Sequence, residues 1–573
     1  MSYTPMHMRK TFFQQSVTKL IDHPHQILIG FILLVALILR IWGANFGLPY
    51  LYHFDERFYV NTAGKLGSGV LWYSPYAPTG LSNVLFICYS ALFIIGRITG
   101  HFTSAQEFMA LYRTDPTVFY LTGRLINALL GTMTVFFIYK LGKLVSKPPT
   151  ALLAAGFLAV AFLHVRDSHF AVPDITMSAF IIISFTIAVL GMQLRRIRYI
   201  YFAGLLSGLA VAMKWTSLPS FLPIIICATV VSWERQGARL STQLFKNIII
   251  TCASFFLGFA LGSPQILINP TPYIDSAKGQ YTLAKYGGFY IWQVDTLPGW
   301  LFYGKTLFYG IGLAMLMLGL IGMVLRLVAV IRKSDLNSVL LLSFPLLYFI
   351  LMGSTPHYFS RYMLPVIPFL ALFSAEAILF LAGFFGRANK YWQYGIITLL
   401  GIIVVVEPFA NSIRLDMLLL RPDTRTLAKD WIENNIPDGE KIALEYEVHV
   451  PWLATPDKPA PRSRRTYEAL TMEESGLADH TLEWYRNEEY RYLIASSFIY
   501  EVPLVDEQKN AARTEFYRQL DRDLELIQEF KPYSGNTAPP FNFDEIYGPL
   551  ISLWQRENPG PTIKIYRVNE EAE

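Results

Sequence analysis

The stretch His53-Phe54-Asp55-Glu56-Arg57-Phe58-Tyr59 sets two adjacent carboxylates among aromatic residues, just beyond the first long apolar run of the chain. Such a pair has the parts for acid/base chemistry: one carboxylate to take a proton, the other to orient a substrate or a divalent metal. Apolar neighbours raise a carboxylate pKa toward neutrality, where it serves best as a general base. The plainer reading makes Asp55 and Glu56 solvated loop charges where a membrane helix ends. Further on, Arg166-Asp167-Ser168-His169 and Pro173-Asp174 crowd ionisable groups at the entry to another apolar run. Asp174 reads either as a carboxylate stabilised by a helix N-terminus or as a further acid facing Asp55. His169 reads as a phosphate contact or as a hydrogen-bonding loop residue. The cations of interest are Lys214, within Lys214-Trp215-Thr216, and Arg361, which is followed by Tyr362. A lipid phosphate arriving from a bilayer needs a cation near headgroup level; the alternative is that both side chains snorkel at the interface.

The elements that must position these groups are membrane helices. Of 573 residues, 53% are hydrophobic and only 16% charged, which places the chain among multispanning membrane proteins. A first apolar run from about Ile27 to Gly47 follows Arg9, Lys10 and Lys19; it is long enough to span, is followed by no small-residue cleavage site, and reads as a retained helix with a cytoplasmic N-terminus. Later runs fall at roughly 120–142, 149–165, 171–193, 199–214, 216–233, 247–264, 300–325, 337–353, 361–383 and 393–412, making about eleven spans. The run from about Leu81 to Ile98 is set apart by charge. If it does not cross, the basic clusters at 140–147, 195–198, 235–246, 326–333 and 387–390 all share the side of Arg9 and Lys10. It is therefore expected to lie at the interface, or to re-enter it, within a long first outer loop, residues 48–119. The same parity puts the Asp55-Glu56 loop, the segment 164–174, the tip at Lys214, the connection 263–299 and the segment His357–Arg361 on the outer face.

Two parts of the chain differ in charge. Residues up to about 412 carry about +16 and the remainder about −11, giving the +5 of the whole. The basic excess belongs to the membrane part, so it implies no nucleic-acid partner. Residues 413–573 have the pattern of a soluble, extracytoplasmic α/β domain: a helix opened by Asp423-Thr424-Arg425-Thr426, strands near 441–445, 492–495 and 562–568, a proline- and arginine-rich loop at 451–465, and a charged amphipathic helix over 507–530. Cys88, Cys227 and Cys252 all lie in apolar runs and read as packing residues, with neither a disulfide framework nor a thiolate metal cluster among them. The sequence carries no Gly-rich phosphate loop, His-Glu-x-x-His helix or nucleophile elbow, which argues against a nucleotide-driven pump or a membrane hydrolase of those types.

An ordered set of five pieces resembles the GT-C glycosyltransferases of the protein O-mannosyltransferase and aminoarabinose transferase superfamily. These are Asp55-Glu56 in the first outer loop, Gly-Arg-Leu-Ile-Asn over Gly123–Asn127, Asp174 after Arg-Asp-Ser-His, Gly-Leu-Ala-Val-Ala-Met-Lys-Trp over Gly208–Trp215, and Arg361-Tyr362-Met363-Leu364-Pro365. The likeness spans roughly residues 25–412. It implies a cell-envelope glycosyltransferase, hexosyl- or pentosyl-transferring, that moves a sugar from a polyprenyl-phosphate donor to a lipid, glycan or protein acceptor at the outer face, with inversion. In that scheme Asp55 is the general base, Glu56 helps to hold the acceptor and Asp174 supports the site. Lys214 and Arg361, with His169 and Tyr362, receive the donor phosphate. No MIR-like β-trefoil pattern is present in residues 413–573, so nothing singles out a protein among those acceptors. The competing class is a polytopic transporter or lipid flippase, which commonly shows internal repeats and midplane charges. No repeat is evident here and most charges sit at helix ends, with Glu376 the exception.

Overall fold

The computed structural model describes residues 24–67, 77–235, 242–287, 297–356, 359–387, 389–473, 475–535 and 537–568. Arg9, Lys10, Lys19, Arg239 and His357, all used in the charge and outer-loop readings, lie outside them. Among the described residues, nine helices are long and apolar enough to cross a membrane, and His25–Ile41, Pro148–Val160 and Ile197–Met213 are shorter apolar helices. The protein is a polytopic α-helical membrane protein with a small C-terminal sheet.

Short connections join Thr117–Val145 to Pro148–Val160 and Pro173–Gln193 to Ile197–Met213, and Ile197–Met213 runs parallel to Thr242–Gly262, with Gly204 against Thr251, Gly208 against Phe255 and Gly262 against Ala212. Small residues let them meet closely. A Cβ on Gly208 would come within 1.9 Å of the Phe255 carbonyl, and one on Gly258 within 1.9 Å of the Leu205 carbonyl. Ile197–Met213 is thereby fixed backbone to backbone against Thr242–Gly262, and Lys214 follows directly at its end.

The helix Gly80–Ile98 qualifies as a span by length and composition, yet contacts from Thr79 to Phe93 all lie at one end of the bundle. The Thr79 N–H before it donates to Ser263 Oγ at 3.1 Å, beside the ends of Ile197–Met213 and Thr242–Gly262. Midway, the Tyr89 hydroxyl donates to the Phe119 carbonyl at 2.9 Å, and beyond it Phe93 packs on Phe108, itself on Phe119, at the start of Thr117–Val145. The helix lies across that end of the bundle.

Three expectations from hydropathy need correction. The run 300–325 is two helices, Gly299–Ile311 and Leu313–Lys333, because Gly312 takes φ +80° and a Cβ there would sit 2.9 Å from Glu407 Oε2. The run 149–165 breaks at Ala161 into Pro148–Val160 and the short helix Phe162–Asp167. The helix expected over 507–530 is Ala511–Asp523 followed by a strand, Glu525–Phe530. Glu376 also gains a cause: the Arg326 guanidinium, fifty residues away in sequence, meets its carboxylate with Nε 2.7 Å from Oε2.

The C-terminal sheet has the order β2-β1-β3-β5-β4, with β1 Lys441–Leu444, β2 Glu468–Thr471, β3 Tyr492–Ser496, β4 Glu525–Phe530 and β5 Ile563–Arg567. β1 pairs parallel to β2 and β3, and β5 antiparallel to β3 and β4. This unit sits against the end of the bundle that carries Asp55. Arg425 stacks over the Tyr52 ring at 4.0 Å and donates to the Tyr52 carbonyl at 3.2 Å, while the Tyr52 hydroxyl lies 3.0 Å from Thr426 Oγ1.

Candidate active site

Asp55 stands at the turn before the helix Glu56–Gly67, and its Oδ2 lies 2.9 Å from Nη2 of Arg361, which belongs to the short 3₁₀ turn Ser360–Met363. Asp174 stands in the first turn of Pro173–Gln193, where its Oδ1 accepts a hydrogen bond of 2.7 Å from Lys214 Nζ. The same Nζ lies 4.6 Å above the ring of Tyr362, the neighbour of Arg361. Two acids and two cations from four distant segments thus share one site. Burial pushes the Asp55 carboxyl above its usual range; Arg361 and Lys214 pull it back, and Asp174 adds a further upward push. Burial likewise draws Lys214 down, with Asp174 opposing.

Arg361 is the group with capacity to spare. It is 7% exposed, and its guanidinium lies 4.5 Å from the Phe359 ring and 4.0 Å from the Tyr547 ring. Nη2 is engaged by Asp55, while among the described residues Nε and Nη1 have no hydrogen-bond partner. Buried guanidinium donors without partners are costly, and an anion with several acceptor oxygens satisfies them best.

The Gly123–Asn127 motif is the frame that aligns the two acids. Gly123 abuts Ala171, where an added Cβ would come within 2.6 Å of the alanine Cβ. Arg124 donates to both oxygens of Glu56, at 2.8 and 2.7 Å, and to the carbonyls of Ala44 and Phe46. Asn127 donates to the carbonyls of Phe170 and Val172 and accepts from Thr176 Oγ1 at 2.7 Å. Glu56 Oε1 also takes the Ala171 N–H at 2.7 Å. One lattice therefore joins the turn of Asp55 to the turn of Asp174.

Two expected site residues change role. Glu56 is fully buried, its Oε1 accepting from Arg124 Nε and the Ala171 N–H and its Oε2 from Arg124 Nη2, so the carboxylate is turned inward as part of the frame. His169 is buried with Nδ1 2.9 Å from the Val165 carbonyl and Nε2 2.9 Å from the Trp42 carbonyl, and Asp416 Oδ1 lies 3.3 Å from Nε2. It ties helices together and has no nitrogen for a phosphate. Asp55, Asp174, Lys214, Arg361 and Tyr362 are brought together. Sequence reasoning missed Tyr547 and Asp544, both from the C-terminal part, and gave Arg166 no role beyond its place among the crowded ionisable groups. Arg166 donates to Asp167 at 2.9 Å and to Asp544 at 3.2 Å. Among the described residues no three His, Cys, Asp or Glu side chains gather as a metal would need, and Asp55 and Asp174 each face a cation instead.

The raised Asp55 pKa fixes a sign for pH dependence. Were Asp55 the base of the reaction, useful only when deprotonated, activity would fall as pH drops through a value above the ordinary Asp range of about 4. A profile of kcat/KM against pH checks this; an acid limb at or below the ordinary value would remove Asp55 from the rate equation.

Residues 120–266 match the family model described as dolichyl-phosphate-mannose-protein mannosyltransferase. No curated protein matches the chain. The crystal structure of the Archaeoglobus fulgidus oligosaccharyltransferase in its apo form is similar at 12% identity, covering 86% of this chain and 72% of that one with a TM-score of 0.55. The chain has the GT-C glycosyltransferase fold. Archaeal AglB from the same organism, in complex with an inhibitory peptide and a dolichol-phosphate, gives 12% identity, the same coverage of 86% and 72%, and a TM-score of 0.53. ArnT from Cupriavidus metallidurans bound to undecaprenyl phosphate gives 12% identity, 84% and 95% coverage, and a TM-score of 0.43. Within this GT-C fold, the matched residues 120–266 include Arg124, Asn127, Asp174 and Lys214; Asp55 and Arg361 lie outside the match.

Proposed function

We propose that the protein is a membrane glycosyltransferase that moves a sugar from a polyprenyl-phosphate carrier to an acceptor hydroxyl at the outer face of the membrane, with inversion at the anomeric carbon. Arg361 carries this reading. One of its nitrogens holds Asp55 while, among the described residues, Nε and Nη1 have no hydrogen-bond partner, so a single guanidinium can hold a candidate base and a phosphate oxygen together. The dolichol-phosphate found with the related archaeal oligosaccharyltransferase supports a lipid-phosphate carrier.

In this scheme the Asp55 carboxylate takes the proton of the acceptor hydroxyl. The acceptor oxygen bonds to the anomeric carbon from the face opposite the carrier, the bond from that carbon to the phosphate oxygen breaks, and the electron pair leaves on the phosphate. Arg361 and Lys214 balance the charge that develops there, which in a buried, water-poor site is a large contribution. Asp174 and the Tyr362 ring hold Lys214 in place for that task. A phosphate is already a good leaving group, so a base and two cations suffice and no nucleotide site is required. The charge parity of the sequence supports a cytoplasmic N-terminus, with residues 413–573 extracytoplasmic beside the site.

The test is an assay of purified protein with a panel of polyprenyl-phosphate sugars and of lipid, glycan and peptide acceptors, following release of free carrier. The expected result is release that depends on both a donor and an acceptor. Movement of the lipid across a bilayer with no sugar released would overturn the reading in favour of a transporter or flippase.

A further inference from the structure

Resting on that reading, we infer that Asp544 is a positioning residue through which the C-terminal part of the chain completes the donor-phosphate pocket, with Tyr547 as the wall it delivers. The segment Phe543–Tyr547 is a 3₁₀ turn set between the turn of Arg361 and the short helix Phe162–Asp167. The Asp544 side chain is 3% exposed and both its oxygens are committed. Oδ1 accepts the Ser360 N–H at 2.8 Å, one residue before Arg361, and Oδ2 accepts from Arg166 Nη1 at 3.2 Å. The same Nη1 donates to the Gly548 carbonyl at 3.1 Å, pinning the far side of the segment. Gly548 takes φ +128°, and a Cβ there would lie 3.4 Å from Arg166 Cδ.

One carboxylate therefore fixes the backbone that carries Arg361 and, three residues on, the aromatic ring that covers it. The Tyr547 ring at 4.0 Å and the Phe359 ring at 4.5 Å restrict how the guanidinium can turn, and in that orientation Nε and Nη1 have no hydrogen-bond partner among the described residues. A guanidinium already held in its binding orientation loses less freedom when a phosphate docks, so affinity rises without a new contact to the ligand. The pocket is incomplete without residues from both parts of the chain.

The experiment measures binding of undecaprenyl phosphate, without sugar, to the purified full-length protein, together with its thermal unfolding. Tyr547→Ala should weaken binding about tenfold, the scale of a desolvated cation–π contact. Asp544→Ala should weaken it by a similar factor, and Asp544→Asn, which keeps an oxygen for the Ser360 N–H, by less. The double variant Asp544→Ala/Tyr547→Ala should be no weaker than the worse single variant, because one residue acts through the other. Effects that add in the double variant would overturn the inference, as would variants that melt earlier yet bind with unchanged affinity. Where Asp544→Ala does not fold, unchanged binding by Tyr547→Ala overturns it. Absence of binding by the wild-type protein would sink the donor reading and this inference together, whereas firm wild-type binding that Tyr547→Ala leaves intact sinks this inference alone.

Discussion

Asp55→Asn is expected to abolish detectable sugar transfer, lowering kcat by about 10²–10⁴-fold, the usual contribution of a general base, while the protein inserts and folds normally. Asparagine keeps the volume of the side chain and an oxygen for Arg361 Nη2, which lies 2.9 Å from the carboxylate, so the local packing survives. What it removes is the capacity to take a proton. Carrier release and the thermal unfolding temperature, measured on the same preparation, separate the two effects. A variant with full activity would end the assignment of Asp55 as base, and one that is inactive because it unfolds would recast the Asp55–Arg361 pair as structural.

The second large effect concerns stability. Arg124 and Glu56 form an ion pair with side chains 1% and 0% exposed, held at 2.7 Å. Removing one partner of such a pair strands the other charge away from water and costs about 3–5 kcal/mol. Arg124→Leu should therefore lower the unfolding temperature sharply or prevent accumulation of folded protein, because it also frees the carbonyls of Ala44 and Phe46. Glu56→Gln should destabilise for the converse reason, and the two changes combined should cost less than their sum. Thermal unfolding of the purified variants checks this. Were Glu56→Gln fully stable but specifically weak in acceptor binding, the role first expected for Glu56 would be restored.

The apolar runs and four of the charged groups were legible in the sequence, since hydropathy and charge are local properties. Asp55, Asp174, Lys214 and Arg361 stood out because ionisable residues at helix ends in an apolar chain are few. Their pairing was not legible: which acid meets which cation depends on how four loops converge. Glu56 misled because it adjoins Asp55, yet successive residues at a helix start point in different directions, and Glu56 turns inward to Arg124. His169 misled because its ring nitrogens face the Val165 and Trp42 carbonyls, contacts that composition does not reveal. Asp544 and Tyr547 gave no local signal at all, since their meaning lies in contacts with Ser360 and Arg361, some 184 residues away for the Asp544–Ser360 bond. The break at Gly312 was hidden inside a run of uniform hydropathy, and only the backbone conformation shows it.

The most direct measurement is a structure of the protein in a lipid bilayer with a polyprenyl phosphate bound. The account predicts the phosphate within hydrogen-bonding reach of Arg361 Nε and Nη1 and beside Lys214, with Asp55 facing the space where the anomeric carbon of a donor would lie. A phosphate bound elsewhere, with Arg361 Nε and Nη1 still unpaired, would contradict it.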